Sequence, residues 1–212
     1  ETGMLYVASV TSPAVAALVN DPKRSTMDYV SGGGGGGGAG RGGGANAGAP
    51  PPGCPVVTVG VQGLPLVKPP YGRITAINLN SGEQAWMVPN GDTPDCIKNH
   101  PALRGVTIPK TGKPERAGIM VTKSLVFAGE GSGLFAVAPY SGGPMFRAFD
   151  KKTGDLVSEF KLPANQSGIP MTYMVNGRQY IVVAVGAVNT PAELIALTLD
   201  LGVREGRPER HV

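Results

Sequence analysis

The chain has 212 residues, enough for one substantial domain, and a formal net charge of +4. Its basic residues are scattered, apart from Arg204, Arg207 and Arg210, and aromatic residues do not interleave with them, so nucleic-acid binding finds no support. No apolar run approaches the roughly 18 residues that a membrane-spanning helix needs.

The chain opens Glu1-Thr2-Gly3-Met4, with no initiator Met and no leader, and reads as the middle of a larger protein. Met4 to Val10 (MLYVASV) is rich in residues that favour a pleated surface and predicts a strand. Pro13 to Asn20 (PAVAALVN) admits a short helix, a strand or a loop. Glycine and proline number 33 and 20, and their excess lies in one place: Gly32 to Gly38 is unbroken glycine, and Pro50-Pro51-Pro52-Gly53 follows. Ser31 to Gly53 offers no large apolar side chain to offset ordering entropy, which predicts a flexible insertion. A phosphate-cradling loop would need a strand before it, a helix after it and a Gly-Lys-Ser/Thr ending, none of which is present.

Cys54 and Cys96 allow one disulfide, although their spacing does not demand it. Cys96-Ile-Lys-Asn-His100 lacks the Cys-x-x-Cys-His spacing of covalent haem attachment. No second Cys/His pair completes a metal ligand set, so His100 is expected to be a capping or solvated loop residue.

The most informative feature is a segment used twice. Ala76-Ile-Asn-Leu-Asn-Ser-Gly-Glu-Gln-Ala-Trp86 and Ala148-Phe-Asp-Lys-Lys-Thr-Gly-Asp-Leu-Val-Ser158 match at Ala76/Ala148, Asn78/Asp150, Gly82/Gly154 and Glu83/Asp155, always 72 positions apart. Each copy reads as a strand, a polar turn closed by Gly, and a second strand. The Asn or Asp two residues after the Ala can bond forward into the turn backbone. A supersecondary unit repeated in register points to a repeat architecture. Leu125 to Gly129 (LVFAG) and Gln179 to Gly186 (QYIVVAVG) predict further strands, and Leu194 to Leu201 can supply another.

The repeated Ala-x-Asp-x-x-Thr-Gly-x-x-x-Trp pattern resembles the blade signature of the pyrroloquinoline quinone (PQQ) dependent dehydrogenases. Tyr71-Gly72-Arg73-Ile74-Thr75-Ala76, Val121 to Gly129, Pro170-Met171-Thr172-Tyr173 and Asn176-Gly177-Arg178-Gln179-Tyr180 are similar to family segments in the family's order. The resemblance covers most of residues 1–10 and 64–200 and leaves the Gly/Pro stretch outside. Arg116-Ala117-Gly118 stands where methanol-type enzymes tend to carry Trp-Gly-Gly, so the chain resembles the glucose dehydrogenase branch more closely.

The resemblance implies an all-β fold: the C-terminal part, about three blades, of an eight-bladed β-propeller. The implied organisation is a partial blade and loop over 1–30, the Gly/Pro-rich insertion over 31–53, propeller blades over 54–203 and a basic tail over 204–212. The signature Trp packs between blades; Trp86 fills that role, whereas Ser158 replaces it in the second copy, with Phe160 available as a partial substitute. The implied activity is oxidation of a sugar, polyol or alcohol with PQQ and Ca2+, the electrons passing to a quinone or cytochrome c, in a periplasmic, membrane-associated protein. Calcium ligands, the general base and most PQQ contacts fall in earlier blades. No catalytic or metal-binding residue is therefore assigned here, and this chain alone is expected to be inactive. Asp21, Asp92, Asp95 and Glu130 are read as solvated or turn-capping carboxylates. Two positions are candidates to line the cofactor: Arg116, to stack on the quinone or pair with a PQQ carboxylate, and Gly186, where family backbone approaches the cofactor. The bland readings are a surface Arg in a loop and a strand-ending Gly; Asn189 and Thr190 are weaker candidates still. The competing function is a non-catalytic propeller that uses the same repeats as a scaffold for protein partners.

Overall fold

The computed structural model describes residues 2–11, 17–32, 60–131, 142–187 and 190–198. The strands in chain order are β1 (Met4–Val10), β2 (Ala17–Val19), β3 (Val30–Gly32), β4 (Gly60–Val61), β5 (Leu64–Pro65), β6 (Gly72–Asn78) and β7 (Gln84–Pro89), followed by β8 (Ile119–Val121), β9 (Leu125–Gly129), β10 (Met145–Asp150), β11 (Leu156–Lys161), β12 (Met171–Val175), β13 (Arg178–Ala187) and β14 (Thr190–Thr198). One helical turn, α1 (Asp95–Lys98), and a 3-10 turn at Pro101–Leu103 interrupt the loop between β7 and β8.

Three antiparallel sheets make the body. The first has strand order β1-β6-β7, the second β11-β10-β9-β8 and the third β12-β13-β14. The repeat is the hairpin at the outer side of the first and second sheets. In both copies the same bonds close the turn: Asn78 N–H to the Glu83 carbonyl and Gly82 N–H to Asn78, then Asp150 N–H to the Asp155 carbonyl and Gly154 N–H to Asp150. Gly82 and Gly154 take φ of +74° and +79°, which L-residues disfavour. The Asn78 and Asp150 side chains accept N–H groups from Asn80 and Lys152, as the forward-bonding pattern predicts. Each copy also has a register shift at the same place, Ala76/Ile77 and Ala148/Phe149.

Alternation along the strands decides how the sheets stack. On β9, Val126 and Ala128 join Ile74, Ala76, Trp86 and Phe149 in a core between the first and second sheets. Phe127 points the other way and joins Met120, Phe146, Ala148, Val183 and Val185 between the second and third. The central strands β9 and β10 of the second sheet are thus covered on both faces, whereas its edge strand β11 is largely exposed. Phe160 packs on Phe146 at a centroid distance of 5.4 Å, while Ser158 is exposed.

Trp86 spans the first seam. Its indole N–H donates to the Lys151 carbonyl at 3.2 Å, and the Tyr6 hydroxyl donates to the same oxygen at 3.1 Å. Burial, and then the charge of Asp150, push the Tyr6 hydroxyl above its usual range, so it remains a donor. The Trp86 ring lies against Gly154, where an added Cβ would stand 2.8 Å from the indole carbons.

Several boundaries differ from the sequence reading. β13 extends one residue beyond each end of the predicted strand, so Gly186 lies inside it and does not end it. A register shift between Val185 and Ala187 puts Gly186 at a bulge, a place that interrupts regular pairing and favours Gly. β14 starts at Thr190, four residues before the predicted strand, because it pairs with β13 from Ala187 onward. Ala17–Val19 within the ambiguous Pro13 to Asn20 stretch is strand, and its partner β3 includes Ser31 and Gly32, the first residues of the predicted insertion. The rest of that insertion, and the basic tail, lie outside the described residues.

Candidate functional site

The segment that carries Arg116 is held by backbone contact before any side chain acts. The Thr111 carbonyl accepts Tyr71 N–H at 2.7 Å, Lys113 N–H donates to the Asn90 carbonyl at 2.9 Å, and Asn90 N–H donates to Gly72 at 2.9 Å. Gly72 and Gly112 meet so closely that a Cβ on either would collide with the other segment's backbone. This fixes residues 111–113 against the start of β6. Arg116 then emerges exposed, three residues ahead of the edge strand β8, with its carbonyl packed on Gly131.

Lys113, in the same segment, begins a chain of charges. Lys113 donates to Glu130 at 2.7 Å, Arg147 donates to the other Glu130 oxygen at 2.8 Å, and Arg147 Nε reaches Glu159 at 2.9 Å. Glu130 and Arg147 are buried. Glu130 is therefore neither solvated nor a turn cap, contrary to the sequence reading. It sits directly after β9, where two facing cations replace the water it gives up. Both of its oxygens are committed to these two partners. Glu115 accepts Gly142 N–H at 3.1 Å and ties the same segment to the approach to β10.

Beside Lys113 a cavity of about 400 Å³ opens, lined in part by Asp92, Asp95, Lys98, Ile108 and Lys110. Partial burial raises the Asp92 carboxyl, but the hydrogen bond and charge of Lys110, with Arg147 and Lys113 behind it, outweigh this and hold it below the usual carboxylate range. Asp95 opens α1 and is exposed. Asp21 caps its own turn by accepting Lys23 N–H at 3.2 Å. His100 caps the 3-10 turn, accepting Ala102 N–H, as expected of a loop histidine. Cys96 is disulfide-bonded, and Cys54 lies outside the described residues.

Gly186 lies in β13 of the third sheet, whereas Arg116 precedes β8 of the second. The Gly186 N–H donates to the Asn165 carbonyl at 2.9 Å, and the next residue, Gln166, bridges to Val185. A Cβ on Gly186 would meet Ala192 and Ser167 at ordinary contact distances of 3.7 to 3.9 Å, so a methyl group would fit there without collision. Thr190 begins β14, and Asn189 lies outside the described residues. Lys113, Arg147 and Gln166 escaped the sequence reading. A charged residue inside an apolar strand, Phe146-Arg147-Ala148-Phe149, was the one available signal, since such a residue requires a buried partner.

Among curated proteins, the quinate/shikimate dehydrogenase (quinone) of Acinetobacter baylyi is 35% identical over 127 residues, 58% of this chain and 14% of its own length. Quinoprotein glucose dehydrogenase A of Acinetobacter calcoaceticus is 32% identical over 124 residues, with the same coverage of 58% and 14%. The chain thus spans about a seventh of the length of these relatives. The crystal structure of quinohemoprotein alcohol dehydrogenase from Comamonas testosteroni aligns with 87% of this chain and 20% of that one, at 24% identity and a TM-score of 0.45. Residues 1–181 match the family described as PQQ glucose/ethanol/alcohol dehydrogenase, β-propeller domain. With most of its length matched and its strands in three antiparallel sheets, the chain belongs to the β-propeller domain family of the PQQ-dependent dehydrogenases.

Proposed function

We propose that this chain is part of a PQQ-dependent dehydrogenase that oxidises a sugar, polyol or alcohol and passes electrons to a quinone or cytochrome c. The family match over residues 1–181 carries the reading, and relatives named as quinate, glucose and glycerol dehydrogenases support it. PQQ is a flat quinone bearing carboxylates, and the residues here suit such a group. Arg116 is exposed, three residues after Lys113 of the cavity lined by Lys98, Lys110, Asp92 and Asp95, and a methyl-sized group fits at Gly186.

In this reading Arg116 would hold a PQQ carboxylate or stack on the quinone, and the backbone at Gly186 would approach the cofactor. The chain's own contribution is to bind and orient. When bound, PQQ supplies the two-electron sink that alcohol oxidation needs. By the family resemblance, calcium ligands and the base are assigned to parts of the protein outside this chain. The chain alone is accordingly not expected to turn over substrate. A periplasmic location, with membrane association through another part of the protein, belongs to the same proposal; the disulfide at Cys96 supports an oxidising compartment.

Reconstitution of the intact protein with PQQ and Ca2+, followed by dye-linked oxidation of glucose, polyols and short alcohols, tests the proposal. Dye reduction with at least one substrate is expected. No reduction with any of them overturns it in favour of a scaffold that binds protein partners.

A further inference from the structure

We infer that Gln166 is a positioning residue, setting the separation of Arg116 and Gly186 across the seam between the second and third sheets. The inference rests on the PQQ reading of those two residues.

The Gln166 side chain is buried and directs its carbonyl oxygen and both amide hydrogens to backbone. Its carbonyl oxygen accepts Gly129 N–H at 2.7 Å. Its amide nitrogen donates to the Gly118 carbonyl at 2.8 Å and the Gly168 carbonyl at 2.6 Å. Gly118 directly precedes β8 and Gly129 ends β9, so one side chain grips both ends of a hairpin of the second sheet. Gln166 itself pairs with Val185 of β13, in the third sheet. Arg116 lies two residues before one gripped end, and Gly186 follows Val185. The two cofactor-lining candidates therefore stand on opposite sides of a single amide.

The chemistry of the position admits few alternatives. One acceptor and two donors are required, and only one orientation of the amide satisfies all three partners. A carboxylate supplies the acceptor and no donor; an aliphatic side chain supplies neither. The glycines make the space. A Cβ on Gly129 would collide with the carboxamide of Gln166, and a Cβ on Gly118 would stand 3.1 Å from its nitrogen. A residue needed only to fill the seam would require none of this, since the apolar core between these sheets already does so.

Two substitutions in the intact protein separate the roles. Gln166→Glu keeps the acceptor and loses both donors; Gln166→Met keeps the bulk and loses everything polar. The readouts are PQQ affinity, by fluorescence titration of the apoprotein, and apoprotein unfolding temperature. Losing these bonds is expected to weaken PQQ binding about tenfold in both variants, the factor that 1.4 kcal/mol carries. Relative to wild type at each pH, Gln166→Glu should recover affinity on acidification, because a protonated carboxyl again donates to Gly118, whereas Gln166→Met should not. Wild-type protein that fails to bind PQQ overturns the quinone reading and this inference with it. Wild type that binds PQQ while both variants bind equally well overturns this inference alone. So does a Gln166→Glu protein that unfolds earlier and binds PQQ more weakly with no acid recovery, which would leave Gln166 a merely structural role.

Discussion

Gly154 carries two constraints where Gly82 carries one. Both have positive φ, but a Cβ at Gly82 would meet open space, whereas a Cβ at Gly154 would press on the Trp86 ring. Gly82→Ala should therefore cost about 1 kcal/mol, the left-handed backbone penalty. Gly154→Ala should add roughly 1 to 3 kcal/mol of overpacking. Urea unfolding of the intact protein compares them, and equal losses would show that the indole yields freely. Trp86 itself is the larger liability. Trp86→Ala removes a buried ring and should cost about 3 to 5 kcal/mol, while Trp86→Phe keeps most of the ring packing and loses chiefly the bond to Lys151, about 1 kcal/mol.

At the scale of the element, the second repeat turn is pH-sensitive. The N–H groups of Lys152 and Thr153 bond the Asp150 carboxylate and hold it below the usual range. A depressed carboxyl stabilises the fold above its unfolded value, about pH 3.9, and the contribution fades as pH falls through the folded value. Asp150→Asn should thus be less stable than wild type at neutral pH, with the gap closing below about pH 4 in acid titrations followed by circular dichroism. The charge chain behaves differently. Glu130→Ala leaves Arg147 buried beside Glu159 alone and should cost about 3 to 5 kcal/mol. These two carboxylates also show why the sequence was legible in one place and opaque in another. Asp150 acts on its own turn, within three residues, and a local pattern announces it. Glu130 acts on Lys113 and Arg147, each 17 residues away, and nothing in its neighbourhood in sequence names them. The repeat, and with it the hairpins, could be read off the chain; the contacts that hold the segment carrying Arg116 could not, because they join residues far apart in sequence.

At the scale of the molecule, the three sheets are part of a quinoprotein β-propeller, and they differ in what covers them. The second has its central strands β9 and β10 covered on both faces, while the third exposes Met171, Tyr173, Val175 and Leu194 on its outer side. Tyr173 and Tyr180 stack there at 5.3 Å. An apolar face of this kind invites association. The 212-residue chain expressed alone should self-associate and bind a hydrophobic dye, and light scattering of a monodisperse monomer would count against this. The first seam has a different consequence. Its anchor, the Lys151 carbonyl, is a main-chain oxygen that receives both an indole and a phenol from the sheet next door. Exchanging the lysine side chain leaves that oxygen in place, so a survey of point variants would score position 151 as tolerant. Inserting or deleting a residue in the turn would carry the oxygen out of reach of both donors at once. Selection on this seam would therefore be written in the length of a loop and invisible in the identity of the residue that anchors it.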